Sequence, residues 1–181
     1  MKALLPHFKY HPDPLKTGNA IQKPFQCICC YLLKEYAYVG PVYSIKDIPE
    51  ESICLDCIAN GTAAEKFDAT FVDLPENENV CLTDEEKDNF LKRTPGYISW
   101  QGQVWLAHCG NICEFHGDFE QKELLEKFEE LKNYAKEYLR CSDDILNEII
   151  KYYDPSSNNN PAFYKFICQE CRTTLLYSDF T

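Results

Sequence analysis

Two cysteine pairs, Cys27-x-x-Cys30 and Cys54-x-x-Cys57, separated by 23 residues, constrain this chain more than any other feature. Each pair presents two thiolates from one tight turn. Two such turns brought together supply four soft ligands in the tetrahedral arrangement that Zn²⁺ takes in structural sites. Between the pairs, Tyr36-Ala-Tyr-Val39 and Val42-Tyr-Ser-Ile45 are β-rich runs on either side of Gly40-Pro41 and read as a hairpin. Cys57 opens a run from Ile58 to Phe67 rich in helix formers, among them Ala59, Ala63, Ala64, Glu65 and Lys66. Knuckle, hairpin, then ligands at a helix start is the treble-clef order, and the free N–H groups of a helix N-terminus stabilise thiolates placed there. Cys29 offers an alternative to Cys30, but two intervening residues let both sulfurs converge on one ion, which favours Cys27 with Cys30.

The chain holds 11 cysteines. Met1-Lys-Ala-Leu-Leu5 is cut off by Pro6 and His7 before an apolar signal core can develop, so the expected compartment is the reducing cytoplasm, where such a count points to metal rather than disulfides. A third pair, Cys168-x-x-Cys171, needs two more ligands, and Cys109 with Cys113 are the close pair left over. A second zinc site is therefore expected from Cys109, Cys113, Cys168 and Cys171, with His108 or His116 in place of one of the first two as the variant. If the stretch around Cys109 is helical, Cys109, Cys113 and His116 share a face, although Gly110 and Asn111 weaken a helix there. Cys81 and Cys141 lack neighbours at ligand spacing and read as unligated. His7 and His11 likewise read as surface or core residues rather than ligands.

A net charge of −11 argues against a nucleic-acid backbone as partner. The excess is concentrated in two segments, Asp73 to Asp88 and Asp118 to Asp154, while the remainder of the chain is balanced. Residues 1–26 carry four prolines and read as an extended arm. Ala69-Thr-Phe-Val72 reads as a short strand and Leu74 to Val80 as a loop. Thr83 and Glu86 form a capping box for a helix closed by Lys92 and Arg93. Asp118 to Leu139 reads as one helix, with Asp118 and Gln121 as cap and Leu124, Phe128, Leu131, Ala135 and Tyr138 as its apolar stripe. Ser142 caps another, carrying Ile145, Leu146, Ile149, Ile150 and Tyr153. Pro155 to Pro161 is a polar, turn-rich loop, and Ala162 to Ile167 and Thr173 to Tyr177 are strands around the last knuckle.

Several of these stretches together resemble the CbrC family of bacterial proteins, which takes its name from colicin tolerance. They are Phe8-Lys-Tyr-His-Pro-Asp-Pro14 with Thr17-Gly18, the knuckle at 27–30, Gly40-Pro-Val-Tyr-Ser44, Cys54-Leu-Asp-Cys57-Ile-Ala-Asn-Gly61 with Ala63-Ala-Glu-Lys-Phe67, Arg93-Thr-Pro-Gly-Tyr97, Trp100-Gln101, and Trp105 through Cys109. In that family a glycine usually follows the first knuckle, whereas Tyr31 stands there in this chain, and Arg172 similarly follows Cys171. The resemblance covers roughly residues 7–117 plus the last knuckle and implies a role in toxin tolerance, without a settled activity.

The fold expected is α+β: a treble-clef-like zinc core over 1–117, an acidic helical insertion over 118–154, a loop over 155–161, and a knuckle over 162–181 packing back on the core as part of one compact domain. The function expected is that of a non-enzymatic cytoplasmic protein with two Zn²⁺ per chain, an immunity-type binder of a basic nuclease toxin. Two alternatives stand beside it. One is a zinc enzyme with an open second site, in which Cys109, Cys168 and Cys171 bind the metal and Glu114 or His116 acts as base; the other is a nucleic-acid-associated zinc protein. The chain contains no zincin, deaminase, phosphate-loop or nucleophile-elbow motif. No apolar run reaches the roughly 20 residues needed to span a bilayer.

Overall fold

A hairpin that straddles the first knuckle sets the course of the first third of the chain. The computed structural model describes residues 5–75, 80–155 and 161–179. The expected loops over 74–80 and 155–161 fall largely outside these residues, as does the Tyr138 side chain. Strands β1 (Ala20–Gln26) and β2 (Leu33–Tyr38) pair antiparallel from Ala20 with Tyr38 to Gln26 with Leu33. Pro24 falls in a register irregularity between Gln22 and Phe25, where its missing N–H interrupts no regular ladder. The end of the extended arm is thus a paired strand.

The hairpin expected around Gly40-Pro41 does not form. Residues Tyr36 to Tyr38 are already paired to β1, and Val42 to Ile45 contributes one isolated bridge, Tyr43 with Thr70. The same bridge is all that forms of the strand expected over 69–72. The turn is built instead on the buried Tyr38 ring, whose hydroxyl donates to the Pro41 carbonyl (2.9 Å) and accepts the Gly96 N–H (2.9 Å). A Cβ on Gly40 would lie 2.5 Å from that hydroxyl, so only glycine lets the chain pass.

The helix expected over 58–67 is two, α1 (Leu55–Ala59) and α2 (Thr62–Phe67), separated by Gly61 at φ +80°. Helix α3 (Asp84–Arg93) begins with the expected capping box, in which the Glu86 N–H donates to the Thr83 hydroxyl and the Glu86 carboxylate accepts the Thr83 N–H. A two-residue hairpin follows, β3 (Ala107–His108) with β4 (Asn111–Ile112), where a helix was considered. Strands β5 (Glu114–Asp118), β6 (Ala162–Ile167) and β7 (Thr174–Asp179) form an antiparallel sheet in that order. Between β5 and β6 run α4 (Gln121–Glu126), α5 (Phe128–Leu139) and α6 (Asp143–Lys151).

The single helix expected from Asp118 starts late, because Asp118 belongs to β5 and the Phe119 N–H is held by the Phe163 carbonyl (2.8 Å). It also breaks at Lys127, which leaves helical geometry at φ −100°. The apolar stripe still reaches the core. Leu124, Leu131, Ala135, Leu146 and Ile150 pack with Phe119, Phe163 and Leu176, so the helices cover one face of the sheet. Ser142 caps α6 as expected, but Ile145 points outward, at 54 % exposure. Two further apolar clusters lie elsewhere. One surrounds Cys27, Cys54 and Cys57; the other is an aromatic group centred on Tyr97, Trp105 and Phe115.

His11 shows how the arm is pinned. It is fully buried; its Nδ1–H donates to the Pro95 carbonyl (2.7 Å), and its Nε2 accepts the Thr17 hydroxyl (2.6 Å). Asn19 donates to the same Thr17 oxygen and accepts the Ile98 N–H (2.9 Å), so one network ties the arm to the 95–98 turn. Burial outweighs the Pro95 bond and lowers the His11 pKa from 6.5 to about 4. The unfolded chain therefore takes up a proton below pH 6.5 that the folded chain refuses until pH 4. Stability from this group is complete above pH 6.5 and lost as pH falls toward 4, by about 3 kcal/mol in all. Denaturation of wild type and His11→Gln across that window should show wild type losing more stability on acidification. Parallel pH profiles would contradict it.

Candidate metal centres

Site 1 is assembled from the knuckle after β1 and the start of α1. Cys54 is the N-cap residue of α1 and bridges Ala37 of β2, so the helix start is fixed against the hairpin that carries Cys27 and Cys30. The ligand atoms of Cys27, Cys30, Cys54 and Cys57 all lie within 4.8 Å of one another. Cys27 and Cys57 sulfurs are 3.9 Å apart, and those of Cys54 and Cys57 are 3.4 Å apart. A disulfide requires about 2.05 Å. A tetrahedron of metal–sulfur bonds near 2.3 Å has edges of about 3.8 Å, which these separations bracket. The Cys54 N–H donates to the Cys27 sulfur (3.4 Å). Hydrogen bonds from Cys54 lower the Cys27 pKa, whereas Cys54 is raised through its bond to Cys27, and burial raises Cys57. A metal ion entering here displaces the remaining protons. Cys29 lies outside the set, a buried thiol whose pKa is raised by desolvation.

The knuckle backbone closes on itself. The Tyr31 N–H returns to the Cys27 carbonyl (2.8 Å), and the Cys27 N–H meets the Leu32 carbonyl (3.0 Å). Tyr31 occupies the left-handed region at φ 60°, as Arg172 does after the last pair, although neither is glycine. Each puts its side chain to use. Lys66 lies over the Tyr31 ring at 4.0 Å while donating to the Ile28 and Cys29 carbonyls (2.8 and 2.9 Å), and Arg172 pairs with Glu114 (3.2 Å).

Site 2 joins the tip of the β3–β4 hairpin to the knuckle between β6 and β7. It gathers His108, Cys109, Cys168 and Cys171, again within 4.8 Å of one another. The His108 Nδ1 is 3.2 Å from the Cys109 sulfur and 3.3 Å from that of Cys171, and the two sulfurs are 3.7 Å apart. Three sulfurs and one imidazole nitrogen at these separations fit one tetrahedral ion. The Thr173 hydroxyl and backbone hold the Cys171 pKa down to about 6.

Cys113, expected as a ligand, is not in this set. Cys109 and Gly110, at φ 52° and 77°, form a two-residue turn of the I′ kind, and the Cys113 N–H pairs with the Leu106 carbonyl (2.9 Å). A helix would stack Cys113 one turn above Cys109. The hairpin instead carries it to the opposite strand, fully buried in the aromatic cluster, while His108 stands beside Cys109 at the tip. His116 is likewise absent from the set, with its Nε2 at 3.0 Å from Glu114. The signal for His108 was the His-Cys-Gly-Asn run itself, since glycine at the second turn position marks a two-residue hairpin.

Among the described residues, no helix is long and apolar enough to cross a membrane. No solved structure matches the chain. A family model described as an uncharacterised protein family, UPF0167, matches residues 5–180. The chain is 37 % identical over 183 residues to the UPF0167 protein Mb2317 of Mycobacterium bovis, with 97 % of this chain and 94 % of that protein aligned. The same figures hold for the UPF0167 protein MT2352 of Mycobacterium tuberculosis. Identity is 33 % over 183 residues to the UPF0167 protein PA1536 of Pseudomonas aeruginosa, across 100 % of both chains. A match over nearly the full length, encompassing both cysteine-rich centres, means that the chain belongs to the UPF0167 family.

Proposed function

We propose that this chain is a non-enzymatic, cytoplasmic zinc protein in which two closed metal centres staple an acidic scaffold that docks a basic protein. The observation that carries the reading is ligand count. Each cluster offers four donors from four residues, so a tetrahedral Zn²⁺ keeps no open position for water or substrate. All-sulfur and three-sulfur, one-nitrogen sets of this geometry suit zinc, the ion that structural four-ligand sites of this kind take. Site 1, a knuckle facing ligands at a helix start, is treble-clef-like in this reading. An enzyme would need site 2 open, and His108 fills the position that Cys113 vacates. The candidate bases are also engaged, Glu114 with both Arg172 and His116. The net charge of −11 weighs against nucleic acid as partner.

The acids of 118–154 are not equally available. Glu123 binds Lys165 of β6 through both oxygens (2.7 and 2.8 Å), so it holds α4 to the sheet rather than facing a partner. Glu126 and Glu129 pair with Lys122 (3.9 Å) and Lys132 (2.5 Å). Among the described residues, the exposed Asp144 and Glu148 form no ion pair, and the cation on this face, Lys151, lies over the Tyr152 ring at 4.9 Å. They share the outer face of α6 with Ile145 and Tyr152, which are 54 % and 70 % exposed. An apolar ridge rimmed by carboxylates suits a basic partner, and the resemblance of the sequence motifs to the CbrC family suggests a nuclease-type toxin as the partner to consider. The experiment uses a purified basic DNase domain of the colicin type. Wild type should bind it, and Asp144→Lys with Glu148→Lys should slow association about tenfold at low salt. The melting temperature of this variant should be lower by only ~2–4 °C, from the charge lost at the first turn of α6. Equal rates for both proteins would remove α6 as the docking face. Failure of zinc-loaded wild type to bind would remove this partner class.

A further inference from the structure

The two centres differ in how their sulfurs meet solvent. Site 1 keeps Cys27, Cys54 and Cys57 at 0, 1 and 2 % exposure and Cys30 half-buried. In site 2, Cys109 and Cys171 are both exposed and Cys168 alone among the sulfurs is buried. The exposed sulfurs are also poised toward each other. They lie 3.7 Å apart, and closing to the disulfide length of about 2.05 Å is a short movement. Cys109 sits at a hairpin tip and Cys171 in a knuckle turn, and neither belongs to a paired strand. The closest site 1 sulfurs, Cys54 and Cys57, are instead buried at the first turn of α1 beneath the β1–β2 hairpin.

We infer that site 2 is a peroxide-sensitive modification site, at which oxidation joins Cys109 to Cys171 and releases the metal ion while site 1 stays loaded. This rests on the reading of site 2 as a zinc centre. A metal-bound thiolate keeps a nucleophilic lone pair, and its reactivity toward oxidants follows its access to solvent. One exposed sulfur attacks an oxygen of hydrogen peroxide. The O–O bond breaks, the sulfur becomes a sulfenic acid, and the departing hydroxide is protonated to water. The second thiolate then attacks that sulfenic sulfur, forming the S–S bond and expelling hydroxide, which takes a second proton. Two electrons pass from the sulfurs to peroxide and two waters form. The ion, left with His108 and Cys168, dissociates.

Reversal is built in, because the backbone of both turns is held without the metal. The Cys113 N–H meets the Leu106 carbonyl (2.9 Å), the Cys168 N–H meets the Thr173 carbonyl (2.9 Å), and the Gln169 amide donates to the Ile112 carbonyl across the two turns (2.7 Å). Cys81 lies close by, its N–H on the Gly110 carbonyl (3.1 Å), and is the competing partner that the experiment must exclude.

The test is a titration of the zinc-loaded full chain with hydrogen peroxide, with released zinc read by a chromogenic chelator and linkages by peptide mass spectrometry. One equivalent should leave about tenfold faster than the other, together with a Cys109–Cys171 linkage. A thiol reductant with added zinc should restore it, and Cys81→Ser should release at the wild-type rate. Simultaneous loss of both ions, earlier loss from site 1, or a Cys109–Cys81 linkage would overturn the inference. Native mass spectrometry before oxidation separates the two readings: a single zinc, held by site 1, would remove the zinc reading of site 2 itself.

Discussion

Cys57→Ser is expected to abolish the cooperative fold of the first third of the chain. Site 1 lies where β1, β2 and α1 meet, and Cys27, Cys54 and Cys57 are themselves members of the surrounding apolar cluster. A serine hydroxyl is a poor ligand for a soft ion, so the variant leaves the buried Cys27 and Cys54 and the half-buried Cys30 without a fourth soft ligand. Structural zinc contributes apparent binding energy of about 10–16 kcal/mol in small domains, comparable with or larger than the whole stability of about 5–15 kcal/mol of an ordinary protein. Limited proteolysis should open residues 20–67, with loss of one zinc equivalent and of near-ultraviolet circular dichroism from this region. Cys171→Ser should lose its equivalent with milder consequences, because site 2 ties two turns that already share hydrogen bonds. A Cys57→Ser protein with the wild-type melting temperature would refute the organising role of site 1.

Features carried by a few adjacent residues were legible in the sequence. The C-x-x-C spacings located three of the four turns that bear site sulfurs, and Thr83 with Glu86 and Ser142 mark helix starts where they occur. Strand β6 has the boundaries its aromatic run implies. What failed was decided by distant partners. Nothing local in Tyr36 to Ile45 reveals that Tyr36 to Tyr38 pair backwards with β1, leaving Val42 to Ile45 without a strand. Similarly, Asp118 reads as a helix cap until β6 is known to claim the backbone around it. At site 2, Cys109 and Cys113 look paired by spacing, but spacing is ambiguous until the local structure is known. A hairpin converts the four-residue separation into tip and strand, and so exchanges Cys113 for His108. Charge was the least legible. Composition places an excess of acid on 118–154, while only the fold shows that Glu123 is bound to Lys165.

Tyr97→Ala is expected to be among the most destabilising single changes outside the two candidate metal centres. The side chain is fully buried and stacks on Phe115 with centroids 4.1 Å apart, and it also meets the rings of Tyr164 at 5.1 Å and Trp105 at 5.6 Å. Its hydroxyl donates to the Val104 carbonyl (2.7 Å) and accepts the Val104 N–H (2.8 Å), and burial raises its pKa far above the usual phenol value. Removing a buried aromatic ring costs about 3–5 kcal/mol through lost transfer energy and the cavity left behind. Unpairing the two Val104 groups adds about 1–3 kcal/mol. Thermal denaturation at saturating zinc should show a melting temperature lower by roughly 10–20 °C. Tyr97→Phe keeps the rings and loses only the hydroxyl, so it should cost about 1–3 kcal/mol. The change should also reach site 2, because Trp105 and Phe115 flank the hairpin that presents His108 and Cys109. In Tyr97→Ala, the site 2 ion should therefore be lost to a chelator before the site 1 ion and faster than from wild type. A Tyr97→Ala protein within 1 kcal/mol of wild type, roughly the error of such a comparison, with unchanged metal retention, would mean that this aromatic cluster neither holds the core nor braces the hairpin.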